Sequence, residues 1–245
     1  MGIKVLMING SFRKKHTYNA LLQTAEILKK RDIETEIINL FDYDIKDCTG
    51  CDDPCVLGDG CDVQDDMRPI MQKILDSDGL VFGSPIYTGN VTSKFKAFAD
   101  RTNEWYHKPE LAGKPVFFVV TTAVTGIKDT KHFFDQFSTG LGLRRGGGVT
   151  RTGANNNIPI QESEVIPFIS LLFGNKKNYK PTLNEILIFA VQKAQAYYSS
   201  GNDKKFWEEK NWNGKYYYYD CKIGLFKKLF YKMMFRIIAG AMSDK

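Results

Sequence analysis

Four short apolar runs and a fifth, glycine-rich one recur along the first part of this chain, separated by stretches with helical spacing. Residues 3–8, 33–38, 79–83 and 115–122 read as strands, and residues 143–152 as an edge strand. Between them Leu21, Leu22, Ala25 and Leu28 recur at helical spacing, as do Met67, Ile70, Met71, Ile74 and Leu75 behind Asp65 and Asp66, which can cap that helix. Residues 91–105 place Phe95, Phe98 and Thr102 on one face, and residues 128–141 read as the next helix. A strand that is apolar throughout is buried on both faces. Strand–helix alternation of this kind indicates a parallel sheet covered by helices on both sides. A doubly wound α/β domain with a five-stranded parallel sheet is therefore expected over residues 1–152.

Beyond residue 152 the alternation breaks, and residues 153–245 are expected to form a mostly helical, basic C-terminal extension. It holds a short apolar segment (164–173), a helix (181–198) and a cationic amphipathic stretch (223–241). Of the net charge of +6, most belongs here: residues 202–245 carry ten Lys and Arg against five Asp and Glu. Basicity confined to an appendage argues against a nucleic-acid partner. The amphipathic tail, with Lys227, Lys228, Lys232 and Arg236, could touch an anionic membrane surface; packing on its own domain or on a partner subunit is the expected use. The N-terminus shows neither a secretory signal nor a myristoylation pattern, which would want Ser or Thr where Leu6 stands. No window approaches eighteen uninterrupted apolar residues, so a cytoplasmic protein is expected.

In that setting clustered cysteines favour metal or redox chemistry over disulfides. Cys48, Cys51, Cys55 and Cys61 fall as C-x2-C-x3-C-x5-C, with Pro54, Gly58 and Gly60 as turn residues. Convergent thiolates suit an iron–sulfur centre; a zinc-stabilised loop, or cysteines that are merely close and reduced, are the alternatives. Cys221 is isolated. After the first strand, Ser11, Thr17 and Asn19 supply neutral donors and Arg13 a charged fork at the amino end of a helix, a set suited to phosphate. The turn is neither G-x-G-x-x-G nor a P-loop; it fits a mononucleotide such as FMN, or else an ordinary polar turn. After the third strand, Ser84, Pro85, Ile86, Tyr87 and Asn90 offer backbone amides and an apolar face to a flat ring. Thr122, after the fourth strand, opens onto the same sheet edge, where ligands bind in this architecture. No Ser-His-Asp or paired-carboxylate constellation exists, and no side chain is put forward as catalytic. His16, His107 and His132 lack ligand spacing; Trp105, Trp207 and Trp212 read as core or interface residues, and Asp100-Arg101 as a helix-end salt bridge or interface contact.

Taken in order, Gly10-Ser11-Phe12-Arg13, the cysteine loop leading into Asp65-Asp66-Met67, residues 83–87 and Lys96-Ala97-Phe98-Ala99-Asp100-Arg101 resemble the NADPH-dependent FMN reductase family, specifically its iron–sulfur flavoprotein branch. The resemblance covers about residues 1–150; in the branch two residues usually separate the second and third cysteines, whereas Asp52-Asp53-Pro54 gives three. It implies a flavodoxin-like fold, non-covalent FMN, NAD(P)H as reductant and a homodimer or tetramer with flavin sites near subunit interfaces. It also implies Ser11, Arg13, Thr17 and Asn19 at the FMN phosphate and Pro85, Ile86 and Tyr87 at the isoalloxazine ring. The expected function is an FMN-dependent oxidoreductase passing electrons from NAD(P)H to flavin, quinone or similar acceptors. A [4Fe–4S] cluster on the four cysteines would make it a shuttle between a ferredoxin-like partner and FMN. From other classes stand a flavodoxin-type carrier with no small substrate, and a zinc-loop protein docked through its tail.

Overall fold

The computed structural model describes residues 2–51, 55, 60–198 and 202–243. The chain runs β1 (Lys4–Asn9), α1 (His16–Lys29), β2 (Glu34–Asn39), α2 (Met67–Asp76), β3 (Gly79–Pro85), α3 (Ser93–Asp100), α4 (Glu104–His107), β4 (Pro115–Thr121), α5 (Ile127–Gly140) and β5 (Arg144–Arg151). The strands form one parallel sheet in the order β2-β1-β3-β4-β5, the flavodoxin-like doubly wound arrangement. The two-residue period of each strand divides its side chains between two cores. Leu6, Ile8, Leu80, Phe82 and Phe118 face α2, α3 and α5, while Val5, Met7, Val81, Phe117 and Val119 face α1 and α6 (Glu162–Phe173).

Four expectations change at this level. The helix expected over residues 91–105 is divided into α3 and α4. The Thr102 hydroxyl closes α3 by donating to the Ala99 carbonyl (2.7 Å), and Arg101 turns inward to the Asp65 carboxylate and the Lys46 carbonyl (3.0 Å). Arg101 therefore pairs with Asp65 and not with its neighbour Asp100, which binds Lys96 (2.6 Å). Asp66 does not cap α2 with its side chain: it accepts from the Asp44 N–H (2.7 Å), and it is Asp65 that accepts from Met67 N–H (3.0 Å). Finally, residues 164–173 belong to helix α6, which follows residue 152 yet lies on the sheet. A capping box between Gln161 and Glu164 starts it, and Arg151 at the end of β5 holds Glu164 at 2.7 Å. Gly146 in β5 lets it come close, since a Cβ there would sit 2.6 Å from the Phe168 Cα.

The remaining helices, α7 (Leu183–Tyr198), α8 (Asn202–Glu209) and α9 (Leu225–Ser243), build a third core rich in aromatic rings, among them Phe189, Trp207, Trp212, Tyr217, Tyr218 and Tyr231. Trp105, Trp207 and Trp212 are all buried. This core is fastened to the sheet domain by polar contacts. Trp207 Nε1 donates to the His107 carbonyl (3.0 Å), His107 Nδ1 lies 3.3 Å from Asp203, and Gln192 donates to the Gly140 carbonyl (2.7 Å).

Phe168 is fully buried, with its ring 5.7 Å from that of Phe117. Phe168→Ala is expected to cost about 3–5 kcal/mol, read as a lowered urea midpoint at unchanged slope.

Candidate functional site

Asn9 ends β1 with its side chain buried, donating to the Ser11 carbonyl (3.2 Å) and to Asn39 Oδ1 (2.9 Å) while accepting from Ser11 N–H (3.1 Å). That staple starts the turn into α1. Ser11 is buried and its hydroxyl donates to the Arg13 carbonyl (2.9 Å). Helix α1 has no side-chain cap at Lys15 and no acidic residue in its first turn. Its free N–H groups and positive dipole end thus face a turn carrying Arg13, Lys14 and Lys15, all exposed. Asn19 is exposed within the first turn of α1, whereas Thr17 is buried, its hydroxyl 2.6 Å from that of Thr121 at the end of β4.

The loops after β3 and β4 are tied into the same arrangement. Gly10 N–H donates to the Gly83 carbonyl (2.7 Å), the Thr92 hydroxyl to the Gly10 carbonyl (2.7 Å), and Ile86 N–H to the Thr121 carbonyl (2.8 Å). Ser84 lies beneath its loop, donating to the Pro85 carbonyl (2.8 Å) and accepting from Thr92 N–H (3.2 Å). Pro85 and Ile86 are half-buried. Tyr87 and Asn90 close a tight turn through paired backbone bonds (2.9 and 3.2 Å), with Thr88 and Gly89 both left-handed (φ 51° and 80°). Asn90 Oδ1 accepts from Val91 N–H (2.8 Å), and the Thr122 hydroxyl donates to the Thr125 carbonyl (2.8 Å). Gly126 (φ +84°) lets the two loops meet, because a Cβ there would lie 2.7 Å from Ile86. The Tyr87 hydroxyl lies 3.4 Å from Arg13, which brings the phosphate-type turn and the ring-type loop together. Phe12, Tyr87 and Val124 stand exposed at the rim, one from each loop.

Sequence reasoning placed Asn9 and Thr121 in these loops without making them site residues and passed over Thr92; all three hold the loops without facing outward. The signal for Asn9 was its place between a strand and Gly10-Ser11, where a short amide completes a turn on its own backbone. The donor set of the first turn, with an uncapped helix end and three cations, fits the phosphate of FMN. Residues 85–90 and 122–126 flank the space its ring would take.

The four cysteines line one cavity of about 360 Å³ together with Arg101, Asn103 and His107. Cys48 is exposed, Cys51 and Cys61 are half-buried, Cys55 is buried, and all four are free thiols. Burial, reinforced by the charge of Glu104, pushes the Cys55 thiol up to about 11, so it is protonated near neutral pH. Among the described residues no three His, Cys, Asp or Glu side chains are gathered as metal ligands. The chemistry of the donor set suits a metal–sulfur centre; its arrangement here does not. Pro54 and Gly58 lie outside the described residues; Gly60 takes a left-handed conformation (φ 111°).

The fold is that of a flavodoxin-like protein, with the loops after β1, β3 and β4 joined at the carboxyl edge of its sheet. The family model of NADPH-dependent FMN reductases matches residues 3–149, and the chain belongs to that family. It is 45% identical over 100 residues to an iron-sulfur flavoprotein of Archaeoglobus fulgidus, covering 41% of this chain and 49% of the relative. An iron-sulfur flavoprotein of Clostridioides difficile is 31% identical over 211 residues, covering 79% of this chain and 91% of that one. The chain spans about half the length of the first of these relatives. The structure of RosB with a bound 8-demethyl-8-formylriboflavin-5'-phosphate intermediate shares the fold: TM-score 0.59 at 18% identity, over 70% of this chain and 79% of that one.

Two outcomes follow from this geometry. Thr88 is β-branched and left-handed (φ 51°), so Thr88→Gly is expected to raise stability by about 1 kcal/mol, measured by thermal unfolding. The second concerns Asp65. Burial pushes its pKa up, but hydrogen bonds from Arg101 and from the N–H groups of Lys46 and Met67 outweigh this and hold it below the usual carboxylate range. A lowered folded pKa contributes stability above the unfolded value, about 3.9, that is lost as pH falls through the folded one. Asp65→Asn leaves Arg101 buried without its counter-charge and is expected to cost about 3–5 kcal/mol at pH 7. Denaturant titrations down to about pH 2 should show a flattened acid limb in this variant.

Proposed function

We infer that this protein is an FMN-dependent oxidoreductase in which NAD(P)H is the reductant and a flavin, quinone or similar small molecule the acceptor. The observation that carries this reading is the crevice itself. A cationic, uncapped helix start stands beside the loops after β3 and β4, to which it is tied by hydrogen bonds, and each of the three loops carries one exposed apolar side chain. Bound FMN would supply hydride and electron transfer. The chain's own residues bind and orient. The α1 amino end and Arg13 hold the phosphate, and the backbone N–H groups of Thr88 and Gly89, at the tip of the turn that Tyr87 and Asn90 close, meet the polar edge of the ring. Phe12, Tyr87 and Val124 form an apolar rim on which a nicotinamide or a flat acceptor can stack. Such a rim also suits cover by a second subunit, so a homodimer or tetramer belongs to the same proposal.

A second reading, an electron carrier between ferredoxin-like partners, is favoured by one observation. The four thiols share a cavity with Arg101, whose buried Nε has no hydrogen-bond partner among the described residues, an arrangement that would accept negative charge. It requires the four thiolates to converge on one centre.

An absorption spectrum with iron and sulfide analysis on anaerobically purified protein separates the two. Flavin bands without iron, with steady NAD(P)H oxidation in the presence of a quinone, support the first reading. Flavin with stoichiometric iron and sulfide and no such turnover supports the second, and absence of flavin overturns both. Arg13→Ala is expected to raise the FMN dissociation constant about tenfold to a hundredfold, measured by flavin fluorescence quenching.

A further inference from the structure

Helix α9 presents two different faces. Its inner face, with Phe230, Tyr231, Phe235 and Ile238, packs into the aromatic core against α7. Packing on its own domain, one of the two uses expected from the sequence beside packing on a partner subunit, accounts for that face alone. On the outer face Leu225, Leu229, Met233 and Ile237 recur every fourth residue and are each more than half exposed, and Phe226, 70% exposed, adjoins them. At a helical period of 3.6 residues, Lys228, Lys232 and Arg236 form a second exposed row directly beside the first. No acidic residue occurs from Lys222 to Ser243. At the start of the helix, Lys180, Lys222 and Lys227 with Phe226 line an open cavity of about 650 Å³, which extends the positive surface past the helix end.

An apolar row about 18 Å long beside a cationic row about 12 Å long is complementary to a surface that is apolar below and anionic above. A second copy of the chain fits worse, because antiparallel pairing of two such faces sets one row of cations against the other. Among the described residues no helix is long and apolar enough to cross a membrane, so any lipid contact is in the plane. We propose that the outer face of α9 docks on an anionic lipid bilayer, its apolar row at the headgroup–acyl boundary and Lys228, Lys232 and Arg236 on the lipid phosphates.

The test is co-sedimentation of the full chain with vesicles of phosphatidylcholine alone and of phosphatidylcholine with an equal share of phosphatidylglycerol. Binding is expected to the mixed vesicles only, falling at least about tenfold between about 0.1 M and 0.5 M salt. Leu229→Glu with Met233→Glu, at exposed positions that leave the core untouched, should abolish it while far-ultraviolet circular dichroism stays unchanged. Lys228→Glu with Lys232→Glu should weaken it at least about tenfold. Equal binding to both vesicle types, or binding that survives either double variant, overturns the proposal. So does failure to bind the mixed vesicles, including the case where light scattering shows a dimer that Leu229→Glu with Met233→Glu dissociates, which would assign the face to a second copy.

Discussion

Burial of β1, β3 and β4 on both faces is the constraint on which the rest of this structure depends. A parallel strand with apolar side chains pointing both ways must be covered twice, so the chain crosses from one side of the sheet to the other as it winds. Crossing in that manner delivers every strand-to-helix turn to one edge of the sheet. The turns after β1, β3 and β4 therefore meet without needing sequence proximity, and their hydrogen bonds, from Gly10 to Gly83, Thr17 to Thr121 and Ile86 to Thr121, make one rigid rim. Binding capacity at that edge is a by-product of how the core is filled.

The site's polarity has the same origin. Backbone N–H groups at the start of α1 are left free because Lys15 offers no cap, and the neighbouring charges are all positive. Groups that could have satisfied the loop from outside are instead spent inside it: Asn9, Ser84 and Thr92 bond to backbone and are buried. What remains directed outward is a positive helix end and an apolar rim, which is the division of labour a phosphorylated planar cofactor needs.

The cysteine tract shows where chemistry read from spacing meets a limit. Spacing brought Cys48, Cys51, Cys55 and Cys61 to a common cavity, yet ligation needs thiolates at bonding distance from one point, and among the described residues no three are gathered that way. Nearby, the buried Asp65–Arg101 pair ties the segment before α2 to the end of α3 and sets the break between α3 and α4. A pattern of apolar spacing continues smoothly through that break, because a buried ion pair between residues far apart in sequence leaves no mark on local periodicity.

The sequence alone determined the strand–helix alternation, the parallel sheet and the three loops that carry polar and aromatic groups, since each is written in periodicity or in residues that follow one another. It also placed β5 at the edge, through its run of glycines. The tertiary structure decided what depends on partners distant in the chain. Helix α6 joined the sheet because Phe168 found Phe117 and Arg151 found Glu164, although it follows the expected domain limit at residue 152. Ser84 and Thr17 were legible as polar loop residues, but only folding showed that both are turned inward as ties. For α9, amphipathicity could be read from spacing, but which of its apolar residues would be covered could not. A helix wheel records angles within one element, while burial is settled by which other elements arrive against it, here α7 on one side and none among the described elements on the other.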